Sequence, residues 1–182
     1  TLLPSSSSGD TAFIDPVTTL VVDETLYVLD NSGKIIKVSL NENSLGDRSL
    51  LAIIPDARAM VLDEAGENFY VATNEAITKV SMADGSESFY LSLLNGVDIV
   101  DLLLDTGELL DVNGALDEAD DRLLILDGGS GKVFSVDLAD TSPLDLTSEV
   151  PITGPTVPRP DNSFIAPTKM IFNSNYQWLY VL

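Results

Sequence analysis

The sequence predicts an all-β chain built from repeated four-stranded antiparallel meanders. Three observations carry the prediction. One pattern of apolar strands and acidic, Asn or Gly turns recurs four times; the strands are rich in β-branched, Leu and Tyr residues; and helix is scarce. The single stretch open to a helix is Val97 to Leu110, where an extra strand or a buried loop fits equally well.

The elements follow in order. Residues 1–12 contain the run Ser5-Ser6-Ser7-Ser8-Gly9-Asp10 and read as a Ser-rich linker or tether. The first repeat joins Leu20-Val21-Val22-Asp23-Glu24 to Leu26-Tyr27-Val28-Leu29-Asp30 and then, through Ser32-Gly33-Lys34, to Ile35-Ile36-Lys37-Val38. The second runs through Met60-Val61-Leu62-Asp63-Glu64, Asn68-Phe69-Tyr70-Val71 and Ile77-Thr78-Lys79-Val80. The third is Ala115-Leu116-Asp117-Glu118, Arg122-Leu123-Leu124-Ile125-Leu126-Asp127 and Ser130-Gly131-Lys132-Val133-Phe134. The fourth begins at Lys169-Met170-Ile171-Phe172-Asn173 and reaches Trp178-Leu179-Tyr180-Val181-Leu182. Fourth strands fit at Ser49 to Ile54 and Ser88 to Leu93, and a third around Leu146 to Ile152.

Aligning Tyr27, Tyr70, Leu124 and Tyr180 gives spacings of 43, 54 and 56 residues, one propeller blade and then blades with insertions. The reading is a β-propeller of four-stranded blades at about 13–55, 56–94, 111–152 and 165–182, with insertions at 95–110 and 153–164. That is about three and a half blades within 13–182, too few to close a ring. The expectation is a piece of a longer protein, with self-completion by a second copy as the alternative.

The stretches Asp23 to Val38 and Asp117 to Val136 resemble β-propeller repeats of the NHL and YVTN groups. More distantly they resemble the gluconolactonase and senescence-marker-protein family. That second resemblance implies a divalent cation held by a Glu, an Asp and Asn side chains from different blades, polarising a lactone or ester.

Composition narrows the chemistry. Twenty-nine Asp and Glu against nine Lys and Arg give a net charge of −20, and there is no His and no Cys. Ser-His-Asp triads, thiolate nucleophiles, imidazole switches and Cys-type zinc sites are excluded. So strong a negative charge repels phosphate backbones and anionic lipid, so no nucleic-acid partner and no membrane insertion of this segment are expected. The Ser-rich start at Thr1 suggests a removed upstream segment and an exported protein, extracellular, periplasmic or lipid-anchored in the cell envelope. The acidity also suits a salty or calcium-rich medium.

Two strings imitate known sites and fail. Gly128-Gly129-Ser130-Gly131-Lys132 lacks phosphate-loop spacing and has Val133 where Ser or Thr must hold magnesium. Asp111-Val112-Asn113-Gly114 starts like a calcium loop but has Arg122 at its twelfth position.

In a four-stranded meander, connections into the first strand and from second to third share one face. Both insertions are expected there, which makes that face the candidate recognition surface. The other face, with Asp63-Glu64 and Asp117 to Asp121, reads as solvated turns. Hard oxygen ligands suit calcium, and the residues on the first face that would hold it are Asp15, Asp30, Asp56, Asn74, Asp111 and Asp127. Tyr27, Phe69, Tyr70, Phe134 and Tyr180 are expected in the core, and Phe164 and Tyr90 are expected to pack.

No carboxylate stands out from the turn pattern. The functional expectation is therefore a non-enzymatic binding or scaffold module for a protein or glycan, requiring no cofactor. A calcium-dependent lactonase or esterase-type hydrolase is the alternative. Partners also include a second copy or the remainder of the same chain.

Overall fold

A computed structural model describes residues 11–41, 44–93, 97–105, 122–138, 143, 164–172 and 179–182. Regular structure among them is entirely strand. The chain divides into two compact units, Thr1–Thr73 with Thr78–Ser88, and Asn74–Ile77 with Phe89–Leu182. No helix among the described residues is long and apolar enough to cross a membrane.

The first sheet has the order β1-β2-β3-β4, from β1 (Pro16–Val22), β2 (Thr25–Asp30), β3 (Lys34–Asn41) and β4 (Ser44–Ile53). The second has the order β5-β6-β7-β8, from β5 (Ala59–Leu62), β6 (Asn68–Ala72), β7 (Ala76–Ser81) and β8 (Glu87–Ser92). β4 and β8 fall where fourth strands were expected. The described pairings within these sheets are antiparallel, as a meander requires.

Register assigns the faces. Residues directly opposite across two strands share a face, so Leu20, Tyr27 and Lys37 lie on one side of the first sheet and Val21, Leu26 and Val38 on the other. The Tyr27 side is the core of the first unit: Tyr27, Leu29 and Ile35 pack with Met60, Phe69 and Val71 of the second sheet. The Tyr27 and Phe69 rings meet edge-on at 4.9 Å and 63°. Such a pair contributes about 0.5–1.5 kcal/mol beyond area burial.

In the second unit, a sheet of order β11-β10-β9 joins β9 (Ile99–Asp105), β10 (Arg122–Asp127) and β11 (Lys132–Asp137). A two-stranded sheet pairs β12 (Met170–Phe172) with β13 (Leu179–Val181). Leu124, Leu126, Val133 and Met170 form the buried core, and Phe164, Phe172, Leu179 and Val181 pack against it.

One boundary differs from the expectation. The first strand of the third sheet is β9, inside the stretch 95–110 read as an insertion; it pairs with β10 from Arg122↔Asp105 to Asp127↔Ile99. Residues 115–118, given that place from sequence, lie outside the described residues. The physical reason is burial. Leu123 to Leu126 are no more than 1% exposed, so the backbone groups along both edges of β10 need hydrogen-bonding neighbours, and β9 supplies one along the whole strand.

Phe164 repeats a contact made in the first two sheets. Its N–H donates to Gly131 O at 2.6 Å, just as Ile54 N donates to Gly33 O at 2.8 Å and Leu93 N to Glu75 O at 2.7 Å. Ile54 and Leu93 each directly follow a fourth strand, and Phe164 meets the residue before β11 as they meet the residues before β3 and β7. The insertion expected at 153–164 lies, up to Phe164, outside the described residues.

Candidate functional site

In the first and third sheets the connection from second to third strand is organised by one repeated device. Asp30, fully buried at the end of β2, accepts from Ser32 Oγ at 2.6 Å and from the N–H groups of Ser32 at 3.0 Å, Lys34 at 3.0 Å and Ile14 at 3.2 Å. At the end of β10, Asp127 accepts from Gly129 N at 3.0 Å, Ser130 N at 3.2 Å and Asp98 N at 3.2 Å. Each carboxylate therefore ties its own turn to the segment entering the same sheet. The backbone bonds repeat too: Gly33 N donates to Asp30 O and Gly131 N to Asp127 O, both at 2.9 Å.

Gly33 (φ 81°) and Gly131 (φ 64°) complete the device. A Cβ on Gly33 would overlap the Ile54 carbonyl oxygen, and one on Gly131 that of Phe164. Ser-Gly-Lys recurs because the turn needs a left-handed residue with no side chain against the departing strand.

Electrostatics agree with this role. Burial works against the charge of Asp30, but the Ser32 hydroxyl and the N–H groups of Lys34, Ile14 and Ser32 outweigh it and hold its pKa below the ordinary carboxylate value.

The six residues proposed from sequence as cation ligands sort as follows. Asp30 and Asp127 direct their oxygens at backbone N–H groups. Asp15 (φ 56°) and Asp56 (φ 60°) occupy left-handed positions in the connections entering the first and second sheets. Ala166 (φ 46°) follows Phe164 by two residues as Asp56 follows Ile54, so the position demands a backbone conformation that Asp adopts more easily than most residues. Asn74 is half-buried, and its Oδ1 is buried without a hydrogen-bond donor. Asp111 lies outside the described residues. Among the described residues, no three or more acidic groups converge in an arrangement able to hold a metal ion.

Two carboxylates were misjudged or missed. Asp63, read as a solvated turn residue, is 7% exposed and accepts from Glu67 N at 2.9 Å, Asn68 N at 3.0 Å and Asn68 Nδ2 at 2.8 Å, with Lys79 Nζ at 3.3 Å. Burial opposes its charge, yet Asn68, Glu67 and Lys79 together lower its pKa. Asp101 on β9 is 2% exposed and accepts from Lys169 Nζ at 2.9 Å and Met170 N at 2.7 Å, fastening the third sheet to the entry of β12. Its position in a strand within an apolar run was the available signal.

Residues 106–121 join β9 to β10, a first-to-second connection, and residues 138–163 separate β11 from Phe164. β9 ends, β10 begins and β11 ends at the end of the third sheet opposite to the Asp127 turn. Cross-strand register places Asp105, Arg122 and Asp137 in one row at that end.

The aromatic expectation holds for Tyr27, Phe69, Tyr70 and Phe134, all buried. Phe164 packs against the second unit's core, and half-buried Tyr90 donates its hydroxyl to Leu138 O at 2.6 Å. Tyr180 is a correction: it is 51% exposed, because nothing described covers its side of the two-stranded sheet.

No protein-family model matches the chain, and no curated protein matches it. Solved structures do. A Trichoderma reesei protein of Carbohydrate-Active Enzymes Family AA12 aligns in its iodide structure at 15% identity and TM-score 0.59, covering 79% of this chain and 41% of that one. Its calcium structure aligns at 16% identity and TM-score 0.56 over the same shares of the two chains, 79% and 41%. A Bacteroides thetaiotaomicron protein of unknown function aligns at 12% identity and TM-score 0.58, covering 90% of this chain and 41% of that one. The chain thus spans about two fifths of these proteins' length. At such identities the likeness is one of fold: an all-β arrangement of antiparallel four-stranded sheets, consistent with a β-propeller-like architecture.

Proposed function

We propose that this chain is a binding module of β-propeller type that presents the loop-rich end of its third sheet to a protein or glycan. What supports the reading is where the described strands end: Asp105, Arg122 and Asp137, which border residues 106–121 and precede residues 138–163, lie in one row at one end of that sheet, while the Asp127 device braces the other. Loops lengthened on one side of a repeat array are where recognition concentrates. The excess negative charge favours neutral or cationic ligands. An exported location and an acidic, salt-adapted surface belong to the same reading.

The test is titration of the purified chain against neutral and cationic oligosaccharides and basic peptides, beside a variant with residues 108–119 replaced by a Gly-Ser linker. We expect a ligand that loses at least tenfold in affinity in the variant at an unchanged melting temperature. Equal binding by both proteins, or none at millimolar ligand, overturns the reading.

A second reading, calcium-assisted lactonase or esterase chemistry, draws on one feature. Asn74 Oδ1 is a buried oxygen with no donor, the kind a hard cation accepts. Melting with calcium and with a chelator tests it: equal temperatures remove this reading.

A further inference from the structure

Asp15 has φ 56° and is followed by Pro16, the first residue of β1. A left-handed residue is uncommon, and a following proline confines its backbone further, so this linkage is held in a sparsely populated conformation. The fold fixes it from both sides. Ile14 N donates to Asp30 Oδ2 at 3.2 Å, Asn31 N donates to the Asp15 carbonyl oxygen at 2.9 Å, and Pro16 is paired with Asp30 in the β1–β2 register.

Asn31 also directs its Nδ2 at Asp15 Oδ2, 3.5 Å away. The carboxylate and the carbonyl oxygen of Asp15 thus face one residue, in a segment where Ile14, Asp15 and Pro16 are all exposed to water. An N–H on a carbonyl oxygen stabilises the charge that develops there during acyl transfer. A carboxyl group is a known nucleophile, and attachment to the same residue gives it a high effective concentration. The amide of proline is tertiary, and its nitrogen departs as a secondary amine.

We propose that the Asp15–Pro16 bond is a self-cleavage site with the Asp15 side chain as nucleophile. In its acid form the carboxyl oxygen bonds to the Asp15 carbonyl carbon, the bond from that carbon to the Pro16 nitrogen breaks, and the carboxyl proton passes to the nitrogen. The five-membered cyclic anhydride left on Asp15 is opened by one water, which restores the side-chain carboxyl and leaves a second carboxyl where the peptide bond was. The products are a chain beginning at Pro16 and a released segment carrying Ser5-Ser6-Ser7-Ser8.

Two left-handed positions in the same chain serve as internal comparisons. Asp56 (φ 60°) has the carboxyl but precedes Ala57, and Ala166 (φ 46°) precedes Pro167 but has no carboxyl. Asp15 combines the two, so the bonds after residues 56 and 166 should stay intact.

The test is incubation of the purified chain at about pH 4.5 and 37 °C, folded and in urea, followed by intact mass and N-terminal sequencing. Asp15→Gly and Pro16→Ala run beside it, with circular dichroism confirming the fold of each. The new N-terminus at Pro16 should form at least tenfold faster in the folded wild type than in urea. Asp15→Gly keeps the left-handed backbone without the carboxyl, and it and Pro16→Ala should each slow cleavage at least tenfold. An intact wild type after about two weeks overturns the proposal, as does cleavage no faster in the folded chain than in urea, a comparison that needs no variant. So does wild-type cleavage by Asp15→Gly, or cutting after residue 56 or 166 at a comparable rate.

Discussion

Replacing Asp30 with Ala tests whether the repeated carboxylate is a structural tie. The substitution removes an acceptor of three backbone N–H groups and one hydroxyl in a fully buried position. An orphaned buried donor costs about 1–3 kcal/mol. These hydrogen bonds are only part-buried, so the low end applies, and three of them give a loss of about 3 kcal/mol. Asp30→Asn keeps one oxygen for Ser32 and Lys34 but turns an amide N–H₂ toward Ile14 N, a loss of about 1 kcal/mol. Urea unfolding at pH 7, followed by far-ultraviolet circular dichroism, measures both through the midpoint at constant slope. For a chain of this length, 3 kcal/mol lowers Tm by roughly 6–12 °C. An Asp30→Ala variant within about 0.5 kcal/mol of wild type would refute the reasoning, and Asp30 would again be free to serve as a ligand.

The device makes further predictions. Gly131→Ala forces a side chain against the Phe164 carbonyl at φ 64° and should cost at least about 2 kcal/mol, read by the same urea titration. Ala166→Gly should do the reverse: its φ of 46° strains alanine, and relief less the added unfolded-state entropy leaves a gain of about 0.5 kcal/mol, visible as a higher Tm. Asp30 and Asp63 have folded pKa values below their unfolded ones, so their stabilisation is complete above the unfolded value, about 3.9, and drains away as pH falls further. The stability difference between wild type and Asp30→Asn should therefore shrink between pH 5 and pH 2; a constant difference across that range would contradict the assignment.

The repeats were legible where side-chain pattern and turn chemistry agree. Lys37 and Lys79 mark third strands because a basic residue there reaches an acceptor, Met82 O at 2.7 Å for Lys37 and Asp63 Oδ2 at 3.3 Å for Lys79. The third sheet was misread because two signals conflict. Leu116-Asp117-Glu118 copies a turn motif, while Ile99–Asp105 carries Asp101 and Asp105 within its apolar run and looks unlike a core strand. Asp101 is tolerated in that interior because Lys169 and Met170, nearly seventy residues away, satisfy it.

The sequence by itself determined the strand-rich composition, the four-stranded period, the Ser-Gly-Lys turns and the chemistries that a chain without His or Cys cannot perform. These are local or compositional properties, set by residues within about ten positions of each other. Tertiary structure decided which strand pairs with β10, at which end of the third sheet β9 and β11 finish, and whether a turn aspartate faces water or backbone. Each of those depends on partners distant in the chain, such as Phe164 on Gly131 or Ile14 on Asp30, and burial and hydrogen-bond satisfaction select among arrangements that local pattern leaves equal.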